Sequence, residues 1–289
     1  MRFILAVLIF IMSSGLSYAT ELKIGLIPEQ NVFKQMKKYG PVGDYIEKKT
    51  GIKIKFTVLT RYGNIIDNFN SLKLDGAFWG SFTGALAIKK LGIEHLARPV
   101  NPDGESTYKG LIFVHKYSII DSVERMRHKV IAFVDRATTA GYVFPIAYLR
   151  EHGVTNIDTF FKEHYFTGSH DAAVLAVLNK EADIGCAKNT VFNRMALENP
   201  EVKDNLVIIA ESAMVPSNGL GLKKDVAPEI KEKLKQVLIN MNKDPEGQKI
   251  LKDYGALSFI ETKEKDYEPV FDLARKAGMD LATYKYTNE

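Results

Sequence analysis

Apolar and polar positions along this chain fall into two patterns that alternate from segment to segment. Short apolar runs rich in β-branched and aromatic residues read as buried strands. Stretches with apolar residues three or four apart read as helices. The first set predicts strands over 22–27, 52–59 and 76–79, with helices over 32–49, 64–72 and 82–91. A polar, turn-rich stretch at 101–107 precedes a strand over 110–115. The second set predicts strands over 130–134, 165–167, 183–186 and 206–210, separated by helices over 141–150, 170–178 and 190–198. A strand over 219–222 then leads into three helices, about 228–242, 245–253 and 263–277. Strand–helix–strand order predicts an α/β fold with parallel strands covered by helices on both faces. Two such sets and a returning helical segment predict two lobes joined by two crossings, near 111–117 and 211–217. The default ligand site for that shape is the cleft between the lobes, with closure by hinge motion.

The first 19 residues break the pattern. Arg2, the apolar run 3–12 and the small-x-small site Ser17-Tyr18-Ala19 have the form of a cleaved export signal. The run is short for a membrane-spanning helix. The mature protein is expected to begin at about Thr20, exported and soluble. The 39 basic and 35 acidic side chains are spread along the chain, and no basic run interleaves with aromatics. Nucleic acid is therefore not an expected partner. Cys186 is the only cysteine, so no internal disulfide forms, and its apolar surroundings predict a buried thiol. The six histidines show no metal-ligand spacing, and no metal or cofactor is expected.

Candidate chemistry gathers at strand-to-helix junctions. Thr138-Thr139-Ala140-Gly141-Tyr142 follows the apolar run 130–135 and opens a helix. Such a turn aims free N–H groups and a helix dipole at one point, which suits a tetrahedral oxyanion, and Thr138 and Thr139 could add two O–H donors. The same residues would also serve as an ordinary N-cap. Tyr62, Trp79 with Ser81, Tyr108, and Ser169 with His170 sit at comparable junctions. Each has a plain structural reading, as rim aromatic, core or cap. Together they share the location at which open α/β sheets bind ligands, the carboxyl ends of strands. No catalytic relay is legible. Ser169, His170 and Asp171 are adjacent, so their side chains diverge, and no nucleophile signature surrounds Cys186.

These segments resemble the periplasmic binding proteins of phosphonate, phosphite and phosphate ABC importers. The resemblance runs from about 22 to 255. It is carried by Phe133-Val134-Asp135-Arg136-Ala137-Thr138-Thr139-Ala140-Gly141-Tyr142 and Thr167-Gly168-Ser169-His170-Asp171-Ala172-Ala173, with Asp75-Gly76-Ala77-Phe78-Trp79-Gly80 and Pro216-Ser217-Asn218 in support. It implies a two-lobed, type II (Venus flytrap) α/β protein with mixed sheets covered by helices. The first lobe would comprise 20–113 and 215–289, and the second 114–214. The protein would be a periplasmic monomer rather than an enzyme. It would capture a small phosphorus oxyanion and deliver it to a permease in the inner membrane. A sensor acting on a membrane receptor kinase, or a binder of another small anion, are the alternative roles.

By the same resemblance Thr138, Thr139, Ala140 and Gly141 hold the oxyanion, and Ala140 replaces a third hydroxyl residue. His170 contacts the oxyanion from its own junction. Tyr62 and Tyr108 reach it from the other lobe. Trp79 and Ser81 line the cleft, Ser81 standing where the family commonly has proline. No Arg or Lys is required. Affinity is expected to weaken as pH rises past the ordinary histidine value of about 6.5. Family members that bind aminoalkylphosphonates hold the ammonium with two carboxylates; those positions fall on Val191 and Asn218 here. Neither is acidic, so the expected ligand carries no amino group.

Overall fold

The computed structural model describes residues 20–29 and 32–286; the export signal expected over 1–19 lies outside the described residues. Among the described residues, thirteen strands run in chain order as β1 (Glu21–Leu26), β2 (Lys53–Val58), β3 (Gly76–Trp79), β4 (Glu94–Val100), β5 (Thr107–Tyr108), β6 (Gly110–His115), β7 (Val130–Phe133), β8 (Glu163–Phe166), β9 (Ile184–Lys188), β10 (Leu206–Glu211), β11 (Val215–Pro216), β12 (Gly219–Leu222) and β13 (Ser258–Glu261). The α-helices are α1 (Val32–Thr50), α2 (Asn64–Asp67), α3 (Ser81–Leu91), α4 (Phe144–Glu151), α5 (Ile157–Phe160), α6 (His170–Leu178), α7 (Asn189–Glu198), α8 (Pro200–Asn205), α9 (Pro228–Ile239), α10 (Pro245–Tyr254) and α11 (Glu268–Lys276).

The strands form two principal sheets, one per lobe. The first has the order β13-β4-β12-β3-β1-β2, and the second β10-β6-β9-β7-β8. In each, the strands linked by helical crossovers are parallel: β2-β1-β3 in one and β8-β7-β9 in the other. The rest pair antiparallel. The sheets are therefore mixed, as the type II class implies, rather than wholly parallel as strand–helix alternation alone suggests. Parallel neighbours need a crossover, and β12 arrives straight from the other lobe without one.

Both crossings run side by side. β5 and β11 form a two-stranded ladder pairing Tyr108 with Val215 and Thr107 with Pro216. The first crossing thus lies just before Gly110, not over 111–117, because β6 belongs whole to the second sheet. The β4 and β13 strands were not legible in the apolar pattern. The β4 segment Glu94-His95-Leu96-Ala97-Arg98-Pro99-Val100 carries charge and a proline, both unusual in a paired strand.

Apolar clusters cover both faces of both sheets. One lies under α1, α9 and α10 on the outer face of the first sheet, and one under α6, α7 and α8 on the second. The largest runs between the sheets and takes in Trp79, Phe82, Phe133, Phe144 and Phe271. The C-terminal segment is part of that shared core. α11 packs on both α4 and α3. Lys276 pairs with Glu151 at 2.8 Å, and Tyr284 Oη donates to the Arg136 carbonyl at 3.1 Å. On the other side Lys90 donates to the Ala282 carbonyl at 3.0 Å, and Tyr286 Oη donates to Asp67 at 2.6 Å. This segment ties the two lobes together rather than belonging to the first alone.

Candidate functional site

Four helix starts converge where the lobes meet, around a narrow cavity of ≈ 20 Å³. That is room for about one water-sized group. The cavity is lined by the first residues of α3 (Ser81, Phe82, Thr83), the turn before α4 (Ala137, Thr138, Thr139), the first residue of α6 (His170) and the N-cap of α7 (Lys188). Each start brings N–H groups without an acceptor inside its own helix, and a positive dipole end.

The turn after β7 is wound wide. Thr139–Val143 forms a single π-type turn, with the Val143 N–H donating to the Thr138 carbonyl at 3.1 Å. Pro145 gives the reason: a proline has no N–H and crowds the carbonyl four residues back. That carbonyl, on Gly141, instead accepts from the Val134 N–H at 3.1 Å. A Cβ at Gly141 would come within 2.4 Å of Val134 Cβ and 2.7 Å of Thr138 Oγ1, so the turn cannot tighten onto β7 with any side chain there. The N–H groups of Thr139, Ala140 and Gly141 have no backbone acceptor among the described residues. Π-type turns of this sort recur at functional sites.

The two threonines divide their roles. Thr138 Oγ1 donates to the Asp135 carbonyl at 2.6 Å, so its hydroxyl closes the turn rather than facing a ligand. Thr139 Oγ1 is buried with no partner among the described residues. Ala140 and Gly141 are buried and do not line the cavity.

From the first lobe come Tyr62, Ser81, Tyr108 and Asn218, all at the cavity. Tyr62 Oη and Asn218 Nδ2 are, like Thr139 Oγ1, buried polar atoms without a partner among the described residues. Ser81 Oγ lies 2.5 Å from the Pro216 carbonyl and 2.9 Å from Tyr108 Oη. The carbonyl only accepts, so serine's one proton goes there and Tyr108 donates to Ser81. The Tyr108 hydroxyl is thereby committed within its own lobe. Trp79 does not line the cavity: it is fully buried, its indole N–H donates to the Gly221 carbonyl at 3.0 Å, and its ring packs on Phe69.

His170 faces Tyr62 across the cleft, edge to face at 6.3 Å between ring centres. The Lys188 backbone N–H donates to His170 Nδ1 at 3.3 Å. In the neutral ring Nε2 therefore carries the proton and is the donor. Burial pulls the His170 pKa down to about 4; the charge of Lys188 adds to this, and Glu29 and Asp171 oppose it. With that value the His170 ring is neutral at pH 7 in the ligand-free protein, whereas the sequence reading relied on its protonated form.

Two residues outside the sequence-derived set complete the site. Lys188 crosses the cleft to Glu29 Oε1 at 3.3 Å and to Asn218 Oδ1 at 3.4 Å. A lysine thus stands at a place where none was expected. Burial alone would raise the Glu29 pKa, but Lys188, Lys38 and His170 outweigh it and hold the carboxyl at about 2. Both residues obey the signal that located the others: Glu29 follows the carboxyl end of β1, and Lys188 ends β9 just before α7. With its Oδ1 on Lys188, the Asn218 amide, which lines the cavity, is left with Nδ2 as its unused donor group.

The arrangement offers O–H and N–H donors from both lobes and helix dipoles of one sign. Such a cavity suits an acceptor-rich anion. No cluster of three or more metal-ligating side chains occurs among the described residues. Cys186 lies deep in the second sheet, away from the cavity, and burial pushes its thiol pKa up. No helix among the described residues is long and apolar enough to cross a membrane.

Two helix-covered mixed sheets, joined by paired crossings around an interlobe cleft, make the type II periplasmic-binding-protein fold. Within that class the chain belongs to the family of periplasmic phosphonate substrate-binding proteins of ABC transporters, whose pattern matches residues 24–267. It is 24% identical over 257 residues to the phosphonates-binding periplasmic protein of Escherichia coli, covering 88% of this chain and 75% of that one. It is 25% identical over 224 residues to the phosphate-import protein of Mycolicibacterium smegmatis, covering 74% and 70%. The PhnD1 protein of Prochlorococcus marinus, solved with methylphosphonate, superposes with a TM-score of 0.77 at 22% identity, covering 91% of this chain and all of that one.

Proposed function

We propose that this protein captures a small phosphorus oxyanion without an amino group in the closed cleft and presents it, as a monomer, to an ABC permease. Phosphite, phosphate and a small alkylphosphonate are the candidate ligands; each is larger than the ≈ 20 Å³ space of this closed form, so the lobes must part to admit one. The observation that carries this reading is the convergence of Tyr62 Oη, Thr139 Oγ1 and Asn218 Nδ2, buried and unpartnered among the described residues, on one cavity at four helix starts. Each such donor costs free energy unless something accepts from it. An oxyanion accepting from all three, from the His170 Nε2–H and from the Thr139 N–H would remove that cost. The family supports the chemistry, and relatives named for phosphonate and phosphate support the ligand class.

The amine-free specificity rests on Lys188 as well as on Asn218. A ligand ammonium would meet a lysine already paired to Glu29. Calorimetric titration of residues 20–289 with phosphate, phosphite, methylphosphonate and 2-aminoethylphosphonate tests the reading. Binding of at least one of the first three, tighter than the amine, is expected. Tighter binding of 2-aminoethylphosphonate would overturn the specificity, and no binding to any of the four would overturn the ligand class.

A further inference from the structure

The surroundings of the Lys188 ammonium have the makeup of a cation-binding pocket. A carboxylate oxygen of Glu29 lies at 3.3 Å, the Asn218 amide oxygen at 3.4 Å, and the Tyr108 ring lies under Nζ at 4.3 Å from its centre. Carboxylate, amide oxygen and aromatic face together are what a primary ammonium prefers in a site short of water. The Lys188 side chain is only 11% exposed. It reaches this pocket from β9 of the second lobe, whereas Glu29, Asn218 and Tyr108 lie outside that sheet.

The pocket adjoins the anion-binding wall through one residue. Asn218, which lines the cavity, turns Oδ1 to the cation and leaves Nδ2 unpartnered among the described residues. A small ligand bearing an oxyanion and an ammonium a few bonds apart would span the same two places.

We propose that the Glu29–Asn218–Tyr108 pocket is a ligand-ammonium subsite that this protein fills with its own lysine, so that Lys188 is the residue that restricts the site to oxyanions without a cationic substituent. The inference rests on the reading of the cleft as a phosphorus-oxyanion site. Removing the ammonium would leave the buried Glu29 carboxylate without its contact ion pair and with only the field of Lys38 to offset its charge, a costly state that an incoming ammonium relieves. The backbone N–H that orients His170 is retained in every substitution at 188 except proline, which separates the two duties of this residue.

The test measures the affinity ratio of 2-aminoethylphosphonate to methylphosphonate by calorimetry in the full mature chain. Lys188→Ala is expected to move this ratio toward the amine by about tenfold or more relative to wild type. Lys188→Arg, which keeps a cation, is expected to hold the wild-type ratio. The double variant Lys188→Ala with Glu29→Gln is expected to lose the gain. An unchanged ratio in Lys188→Ala would overturn the inference. Lys188→Met keeps the apolar stem and serves if the alanine variant does not fold; there too the wild-type discrimination against the amine must fall.

A second readout needs no phosphonate. Ethylammonium chloride should raise the Tm of Lys188→Ala above that in equimolar potassium chloride, and should not do so for wild type or the double variant. No selective rise would overturn the cation pocket. A selective rise in a protein that binds no phosphorus oxyanion would uphold the pocket and overturn the proposed ligand class instead.

Discussion

Thr138 and Thr139 are adjacent and chemically identical, yet only the second has a hydroxyl to give. Oγ1 of Thr138 is held by the Asp135 carbonyl, and Oγ1 of Thr139 is buried and unpartnered among the described residues. Their alanine variants should therefore differ in kind. Thr139→Ala should weaken oxyanion binding by about 10- to 100-fold, the worth of a hydrogen bond to a charged group, with little change in melting temperature. Thr138→Ala should cost about 1 kcal/mol of stability with a smaller loss of affinity. Calorimetry and denaturant unfolding on both variants check this; equal affinity losses would contradict the division. The junction rule brought Tyr62, Ser81, Tyr108, Thr139 and His170 within reach of the sequence, because strand ends and helix starts are visible in the apolar pattern; Asn218 came only through the family resemblance. Which hydroxyl is spent locally was not visible, since it depends on the pitch of the turn that Pro145 imposes. Trp79 looked like a cleft residue because its neighbours Gly80 and Ser81 are; alternation along a strand sends its ring to the core instead.

Elements divide along similar lines. Helices and strands with clean periodicity were legible from 22 onward, whereas β4 and β13 were not. The polar residues of β4 are used by the C-terminal segment: Arg98 pairs with Asp266 at 2.7 Å, and His95 stacks on Tyr267 at 4.3 Å between ring centres. Such partners lie more than a hundred residues away, beyond any local pattern. The same holds for α11, whose amphipathic face was plain but whose two-lobe contact was not. Phe271 on that face belongs to the core between the lobes. Phe271→Ala should lower unfolding free energy by about 3 kcal/mol, read from chemical denaturation. A loss below about 0.5 kcal/mol would show that the C-terminal segment does not hold the lobes together.

At the scale of the whole molecule, two buried histidines couple stability to pH. Burial lowers the pKa of both His95 and His170 to about 4. An unfolded chain titrates them near 6.5 and so binds more protons between those values. Their contribution is intact above pH 6.5 and is lost progressively as pH falls toward 4, on the order of 3 kcal/mol for each below that value. Thermal melting from pH 7.5 to 4.5 should show a falling Tm, and His95→Gln should flatten the fall. An identical slope in the variant would exclude His95 as a source.

The central claim is that unpartnered donors from both lobes meet on one oxyanion. The most direct measurement is calorimetry of the tightest amine-free ligand, phosphite, phosphate or methylphosphonate, against wild type, Tyr62→Phe and Thr139→Ala. One variant removes a hydroxyl from the first lobe and the other from the second. The account predicts a loss of about tenfold or more in each, with folding preserved. Wild-type affinity in both folded variants would contradict it.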